Sequence, residues 1–309
     1  MSEVLSRSRF SIYDAVTKKI VDAIELGVGT YKMPWHSPGK PVGLPTNAAT
    51  YAEYRGVNVL SLWIAALSRG YPSGEWATYK QWRDLGAQVR KGEQGTLIVF
   101  YKQLELSALD EQDPEQRVAR RYFVKPSWVF NIAQCDGYTP AEVPNPTDGA
   151  ERCELADAFV TATGALVEHG YNMACYAPRR DAIQMPNWEW FLASATSTAA
   201  ENYYAVLLHE LTHWTGAVHR LNRTVGKRFG DDAYAVEELV AEIGSAFLCA
   251  ALGISPQPRE DHAAYIGAWL KIMKADNRAI FTAATLAQEA YDYLTARVTR
   301  NETPAATTA

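Results

Sequence analysis

The sequence predicts an α+β chain in two parts: an N-terminal region of mixed helix and antiparallel strand, then a mainly helical region with a small sheet. Three observations carry this. β-capable runs at residues 96–101 and 120–131 fall in the first half, among short helical patterns. Residues 139–149 hold Pro140, Pro144, Pro146 and Gly149, a linker composition. Beyond them, apolar residues recur at helical spacing in five segments, and only residues 181–186 read as strand. Domains are therefore expected at 1–138 and 151–300, with a linker at 139–150 and a disordered tail at 301–309.

In chain order, residues 11–26 form an amphipathic helix, with Ile12, Val16, Ile20 and Ile24 on one face and Gly27 and Gly29 ending it. Residues 30–50 are loop-rich, with four prolines. Helices follow at 54–68, closed by Gly70, and just before Gly86. The basic turn Val89-Arg90-Lys91-Gly92 feeds a strand. Residues 104–117, with five acids and one Arg, read as a solvated hairpin insertion, and two returning strands end at Pro126 and Asn131. In the second half, helices are expected at 151–168, 199–216, 233–252, 260–276 and 279–298. Residues 181–186, short and ended by Pro186, read as an edge strand.

Hydrophobic residues make up 48% of the 309, so a packed core is expected. Net charge is −5, but residues 1–103 carry 13 Lys/Arg against 8 Asp/Glu, a bias of +5 that suits an anionic partner. The four cysteines are scattered without a C-x-x-C pair, as in a reduced compartment. The N-terminus lacks an apolar leader and no run of 18 apolar residues occurs, so a cytoplasmic protein with no membrane association is expected.

The chemistry centres on His209-Glu210-Leu211-Thr212-His213. On a helix, residues four apart share a face, so both imidazoles can reach one Zn2+, or another divalent ion such as Mn2+. Glu210 then serves as general base toward a water at that ion. A third ligand is needed, and residues 233–252 offer Glu237, Glu238 and Glu242. Glu238 and Glu242 share a face: Glu238 is assigned as ligand, Glu242 as the carboxylate behind a histidine, and Glu237 as solvated. His219 is the rival, because His213, Gly216 and His219 also fit the longer H-x-x-G-x-x-H spacing. No Met-turn follows, which favours Glu238. Tyr176, Tyr234 or His219 could stabilise an oxyanion. Residues 182–185 could pair with an extended peptide.

Residues 1–138 hold 18 aromatics, many beside cations. Rings that stack bases, with cations on phosphates, make sequence-tolerant single-strand sites. Trp35, Arg55, Trp76, Tyr79, Lys80, Arg90, Lys91 and Arg121 are the candidates for single-stranded DNA.

Four N-terminal blocks carry a family resemblance: Tyr54-Arg55-Gly56-Val57-Asn58-Val59-Leu60, Trp76-Ala77-Thr78-Tyr79-Lys80-Gln81, Val89-Arg90-Lys91-Gly92-Glu93-Gln94-Gly95-Thr96 and Phe130-Asn131-Ile132-Ala133-Gln134-Cys135-Asp136-Gly137. They resemble the N-terminal domain of ArdC-type antirestriction proteins, which also begins some plasmid TraC-type primases. His209 to Gly216 and then Glu237 to Ile243 resemble the zincin-like metallopeptidase domain of the same proteins. The resemblance implies a single-stranded-DNA-binding domain joined to a metallopeptidase domain, carriage on a conjugative plasmid, and protection of incoming DNA from host restriction. It also implies Glu238 as ligand, since related zincins use the Glu of a Glu-x-x-Ala helix, matched by Glu238 and Ala241. A peptidase acting on a host protein and a structural zinc domain are the other two readings. Oligomeric state is left open.

Overall fold

The computed structural model describes residues 11–27, 33, 43–105, 120–138, 149–194, 197–223, 232–255 and 263–302. The first half contains α1 (Ile12–Gly27), β1 (Thr46–Asn47), α2 (Val57–Arg69), β2 (Glu75–Thr78), α3 (Tyr79–Asp84), β3 (Gln88–Val89), β4 (Thr96–Glu105), β5 (Arg120–Asn131) and β6 (Cys135–Asp136). The second contains α4 (Gly149–Thr163), β7 (Leu166–His169), β8 (Cys175–Ala177), β9 (Ala182–Met185), α5 (Ala199–Thr215), α6 (Asp232–Leu252), α7 (Ala263–Ala275) and α8 (Ala279–Glu302). The α+β class is as expected. Of the acidic insertion expected at 104–117, residues 104 and 105 belong to β4 and the rest lie outside the described residues; of the linker expected at 139–150, residues 149 and 150 begin α4 and the rest lie outside them; α8 runs two residues into the expected tail.

The first sheet has the order β1-β2-β5-β4, parallel only between β1 and β2. Contrary to the two returning strands expected, β5 is continuous through Pro126. Pro126 pairs with Val99, whose N–H and C=O turn away from β5 to bond the Asn58 side chain, both at 2.8 Å. Val99 and Pro126 therefore form a non-hydrogen-bonded pair, and the missing proline N–H costs the ladder nothing. Asn58 at the same time occupies the open edge of β4.

The second sheet has the order β7-β9-β8. This corrects the edge-strand assignment: β9 is the central strand, parallel to β7 and antiparallel to β8. Pro186 lies just past its last ladder residue, Met185, so it ends the strand without exposing it.

α5 starts with a capping box, in which Thr198 and Glu201 satisfy each other's backbone amides. Glu201 also accepts from the Ser255 amide at 3.3 Å, which ties the start of α5 to the chain just after α6. One hydrophobic cluster runs through both halves of the chain. Trp63 on α2 meets Phe247 on α6, with ring centroids 5.8 Å apart, and Tyr13 on α1 meets Phe281 on α8 at 4.8 Å. A second, smaller cluster of Ala48, Ala77, Trp82, Ala87 and Val89 supports α3 and β3. Among the described residues, no helix is long and apolar enough to cross a membrane.

Candidate functional site

α5 and α6 pack side by side and supply the centre. Their approach depends on Gly244: a Cβ there would lie 2.6 Å from Thr212 Cγ2. That close packing sets the two histidines of α5 opposite the glutamates of α6. One donor atom from each of His209, His213 and Glu238 falls within 4.8 Å of the others. Glu238 Oε2 is 3.5 Å from His209 Nε2, and Glu238 Oε1 is 3.6 Å from His213 Nε2. A tetrahedral ion with bonds of about 2.0–2.1 Å holds its ligand atoms roughly 3.3–3.4 Å apart, so these separations fit with little movement. His209 and Glu238 are buried and His213 nearly so, a poor place for three ionisable groups with nothing between them.

Each imidazole turns its other nitrogen to a further carboxylate. His213 Nδ1 is 3.2 Å from Glu237 Oε1, and His209 Nδ1 is 3.9 Å from Glu242 Oε2. Glu242 thus stands behind a histidine. Glu237 is not solvated as expected: it is 3% exposed. α6 is apolar all round, so an acid on any face of it is drawn inside, and that is the signal that could have found Glu237. Arg223 pairs with it through Nε at 3.1 Å and Nη2 at 2.8 Å, and also bonds Thr215 Oγ1 and the Thr212 carbonyl. Burial alone would raise the Glu237 pKa, but His213 and Arg223 hold it below the ordinary carboxylate range. Burial likewise opposes protonation of His213, yet Glu237 and Glu238 push it up to about 10. The site is strongly anionic toward whatever cation enters it.

Glu210 is buried, and its Oε2 accepts the Tyr176 backbone N–H at 2.9 Å. β8 therefore lies against Glu210, with its outer edge toward α5. The Tyr176 hydroxyl does not enter the site: it donates to Asp181 at 2.8 Å. Tyr234 is beside Glu238; burial and then that charge raise its pKa. His219 does not join His209 and His213. Its side chain is 64% exposed and meets Asp181 Oδ2 at 3.3 Å. Gly216, which completed the longer spacing, serves another purpose: a Cβ there would sit 3.0 Å from Arg223 Nη2.

In the first half the candidates separate. Trp76 is fully buried and packed edge-on against Tyr71, on a strand whose two middle residues are covered on both faces, so it is not a stacking surface. Arg55 is ion-paired with Asp292 on α8. Arg90 is held by Glu93 at 2.9 Å and Asp136 at 3.3 Å. Tyr79, Lys80 and Lys91 are exposed. Arg121 is in β5, its side chain outside the described atoms, and Trp35 lies outside the described residues.

Comparison with known proteins now bears on this arrangement. The chain is 38% identical to the antirestriction protein ArdC of plasmid R388, whose metal-free crystal structure matches with a TM-score of 0.74 over 94% of this chain and 99% of that one. The chain belongs to the ArdC family of antirestriction proteins. The Mn(II)-bound structure of the same R388 protein matches at 37% identity and the same TM-score, over 98% of its length. Residues 10–130 match the family model for the N-terminal domain of anti-restriction factor ArdC, and residues 154–286 match that for a zincin-like metallopeptidase. Among relatives, y4eC of Sinorhizobium fredii is 47% identical over 93% of this chain and 92% of its own. DNA primase TraC of Escherichia coli is 37% identical over 92% of this chain, which spans 27% of the primase.

Proposed function

We propose that this ArdC-family chain binds single-stranded DNA through its first half and protects incoming plasmid DNA from host restriction during conjugation. Its second half carries a peptidase-type metal centre. The observation that carries the metal reading is the convergence of two imidazoles and a carboxylate on one point, with Glu210 fixed alongside. His209, His213 and Glu238 would hold a divalent cation, Zn2+ or the Mn2+ seen in the R388 relative. When bound, such an ion supplies Lewis-acid polarisation of a carbonyl and acidifies water. The Tyr176 amide fixes one oxygen of Glu210, so the other is the one that takes a proton and returns it to a leaving amine. The outer edge of β8, rather than β9, is where an extended peptide would pair.

Two measurements test this. Plasmid transfer into restricting and non-restricting recipients should show protection by the parent protein; equal loss with and without it sinks the antirestriction reading. Binding to single strands should exceed binding to duplex at matched salt and fall steeply as salt rises; equal affinities exclude the single-strand role. Glu210→Gln separates the halves of the proposal. It should keep one divalent ion per chain and lose any peptide cleavage. If it also loses protection, proteolysis is part of the mechanism.

A further inference from the structure

We propose that a single strand is held on a specific aromatic platform: Trp128 and Phe130 of β5 together with Tyr79 of α3, with Lys80 and Lys91 on the phosphates. The placement rests on the single-strand reading above and goes beyond it in naming where the bases lie. Trp128 and Phe130 are two apart on β5 and so share a face of the sheet. Gly95 nestles against both: a Cβ there would come 3.0 Å from Trp128 Cβ and 3.2 Å from the Phe130 ring. Tyr79 meets Phe130 edge-on, with centroids 6.4 Å apart. Trp128 is 51% exposed and Tyr79 48%, far more than a core ring. Phe130 and Tyr79 are also held in place: Phe130 packs on the small cluster beneath α3, and Gln88 Nε2 donates to the Tyr79 hydroxyl at 3.1 Å.

A cavity of about 580 Å³ opens between Tyr79 and Phe130 and the turn carrying Lys91. Arg90, Glu93 and Asp136 on its wall form one ion-paired cluster, and Lys91 is the lining cation outside that cluster. A half-exposed, fixed ring beside a pocket with a lysine at its edge is suited to a nucleobase with its phosphate outside. Same-face aromatics on an antiparallel sheet are a known way to stack successive bases. Trp128 was not among the residues singled out from the sequence; Arg90, which was, is spoken for by Glu93 and Asp136.

The same sheet supplies its own control. Phe100 is 50% exposed, but it pairs with Lys125 while Leu97 pairs with Trp128, so it lies on the opposite face. The experiment is fluorescence anisotropy of a labelled oligo-dT with the full chain at several salt concentrations. Trp128→Ala and Tyr79→Ala should each weaken binding, by roughly 5- to 150-fold for a lost stacked base. They should leave the salt slope unchanged. Lys80→Gln and Lys91→Gln should each weaken binding and flatten the log–log salt slope by about 0.7. Phe100→Ser should change neither. Should the parent bind while the Trp128, Tyr79 and both lysine variants match Phe100→Ser, the platform is wrong and the single-strand reading stands. A parent that fails to bind oligo-dT overturns both. The lysine variants, being solvent-exposed, keep the test decisive if an aromatic variant misfolds.

Discussion

Glu237 and Arg223 decide how His213 is held. Glu237 alone would be a buried carboxylate next to a second one, Glu238, and repulsion would push them apart. Arg223 cancels its charge and fixes both oxygens, so one is always presented to His213 Nδ1. Such partners behind a ligand typically carry 10- to 100-fold in metal affinity, roughly. Glu237→Gln should therefore weaken metal binding in a chelator competition by about that factor. Arg223→Met should do the same and also cost about 3–5 kcal/mol of stability, since it strands a buried carboxylate. Combining Arg223→Met with Glu237→Leu should recover much of the stability but none of the affinity, which distinguishes a metal effect from a folding effect. His219→Ala should leave affinity unchanged. If His219→Ala weakens binding as much as Glu237→Gln does, the third ligand has been misassigned.

At the scale of elements, the centre depends on how closely α5 and α6 can approach. Gly244→Ala puts a methyl where Thr212 already is, and overpacking of this kind costs about 1–3 kcal/mol. Because the same contact sets the spacing of His213 and Glu238, thermal melts should show a lower Tm and titrations a weaker metal affinity in the one variant; a fall in Tm alone would mean the helices adjust without moving the ligands. The packing of α1 on α2 gives a pH-dependent case. Lys19 is drawn in from solvent with its Nζ donating to the Ser61 carbonyl at 3.4 Å, and burial, helped by Arg69, lowers its pKa from 10.5 to about 8. Below pH 8 folded and unfolded chains both hold the proton, and the full penalty is present. Between pH 8 and 10.5 only the unfolded chain holds it, so stability contributed at this site rises with pH. Lys19→Met should raise Tm at pH 7, with the gain shrinking through that window. The helices were legible beforehand because spacing such as Ile12, Val16, Ile20 and Ile24 repeats over several turns. β7 and β8 were not, being four and three residues with no alternation to read. At the site, the i, i+4 histidines followed from spacing, whereas Glu238 was one of three acids on its helix and was preferred to His219 through the missing Met-turn and the resemblance to related zincins. The Arg223–Glu237 pair joins residues 14 apart in sequence, and no local pattern encodes that.

Across the whole molecule, the proline-rich stretch suggested two separable domains, yet the core does not stop there. Trp63 is 5% exposed and seats against Phe247 on the helix that carries Glu238. Thr17 donates to the Asn277 carbonyl at 2.6 Å, and Gly56 donates to Gln288 at 2.9 Å. Parting the halves would bare Trp63, Tyr13, Phe247 and Phe281, and each large buried side chain returned to water costs about 1.5–3 kcal/mol. That total rivals the entire stability of an ordinary domain, about 5–15 kcal/mol. Neither half is then expected to outlast the other on heating. Calorimetry of the full chain should give one endotherm, with calorimetric and van't Hoff enthalpies equal. A divalent ion at 100 times its Kd should shift that single transition by about 2.7 kcal/mol of stability. Trp63→Ala should lower the same transition by about 3–5 kcal/mol. Two endotherms, with only one moved by metal, would show that the shared core is too weak to couple the halves. A single one would mean that occupancy of the metal centre and integrity of the aromatic face are thermodynamically linked through α2 and α6.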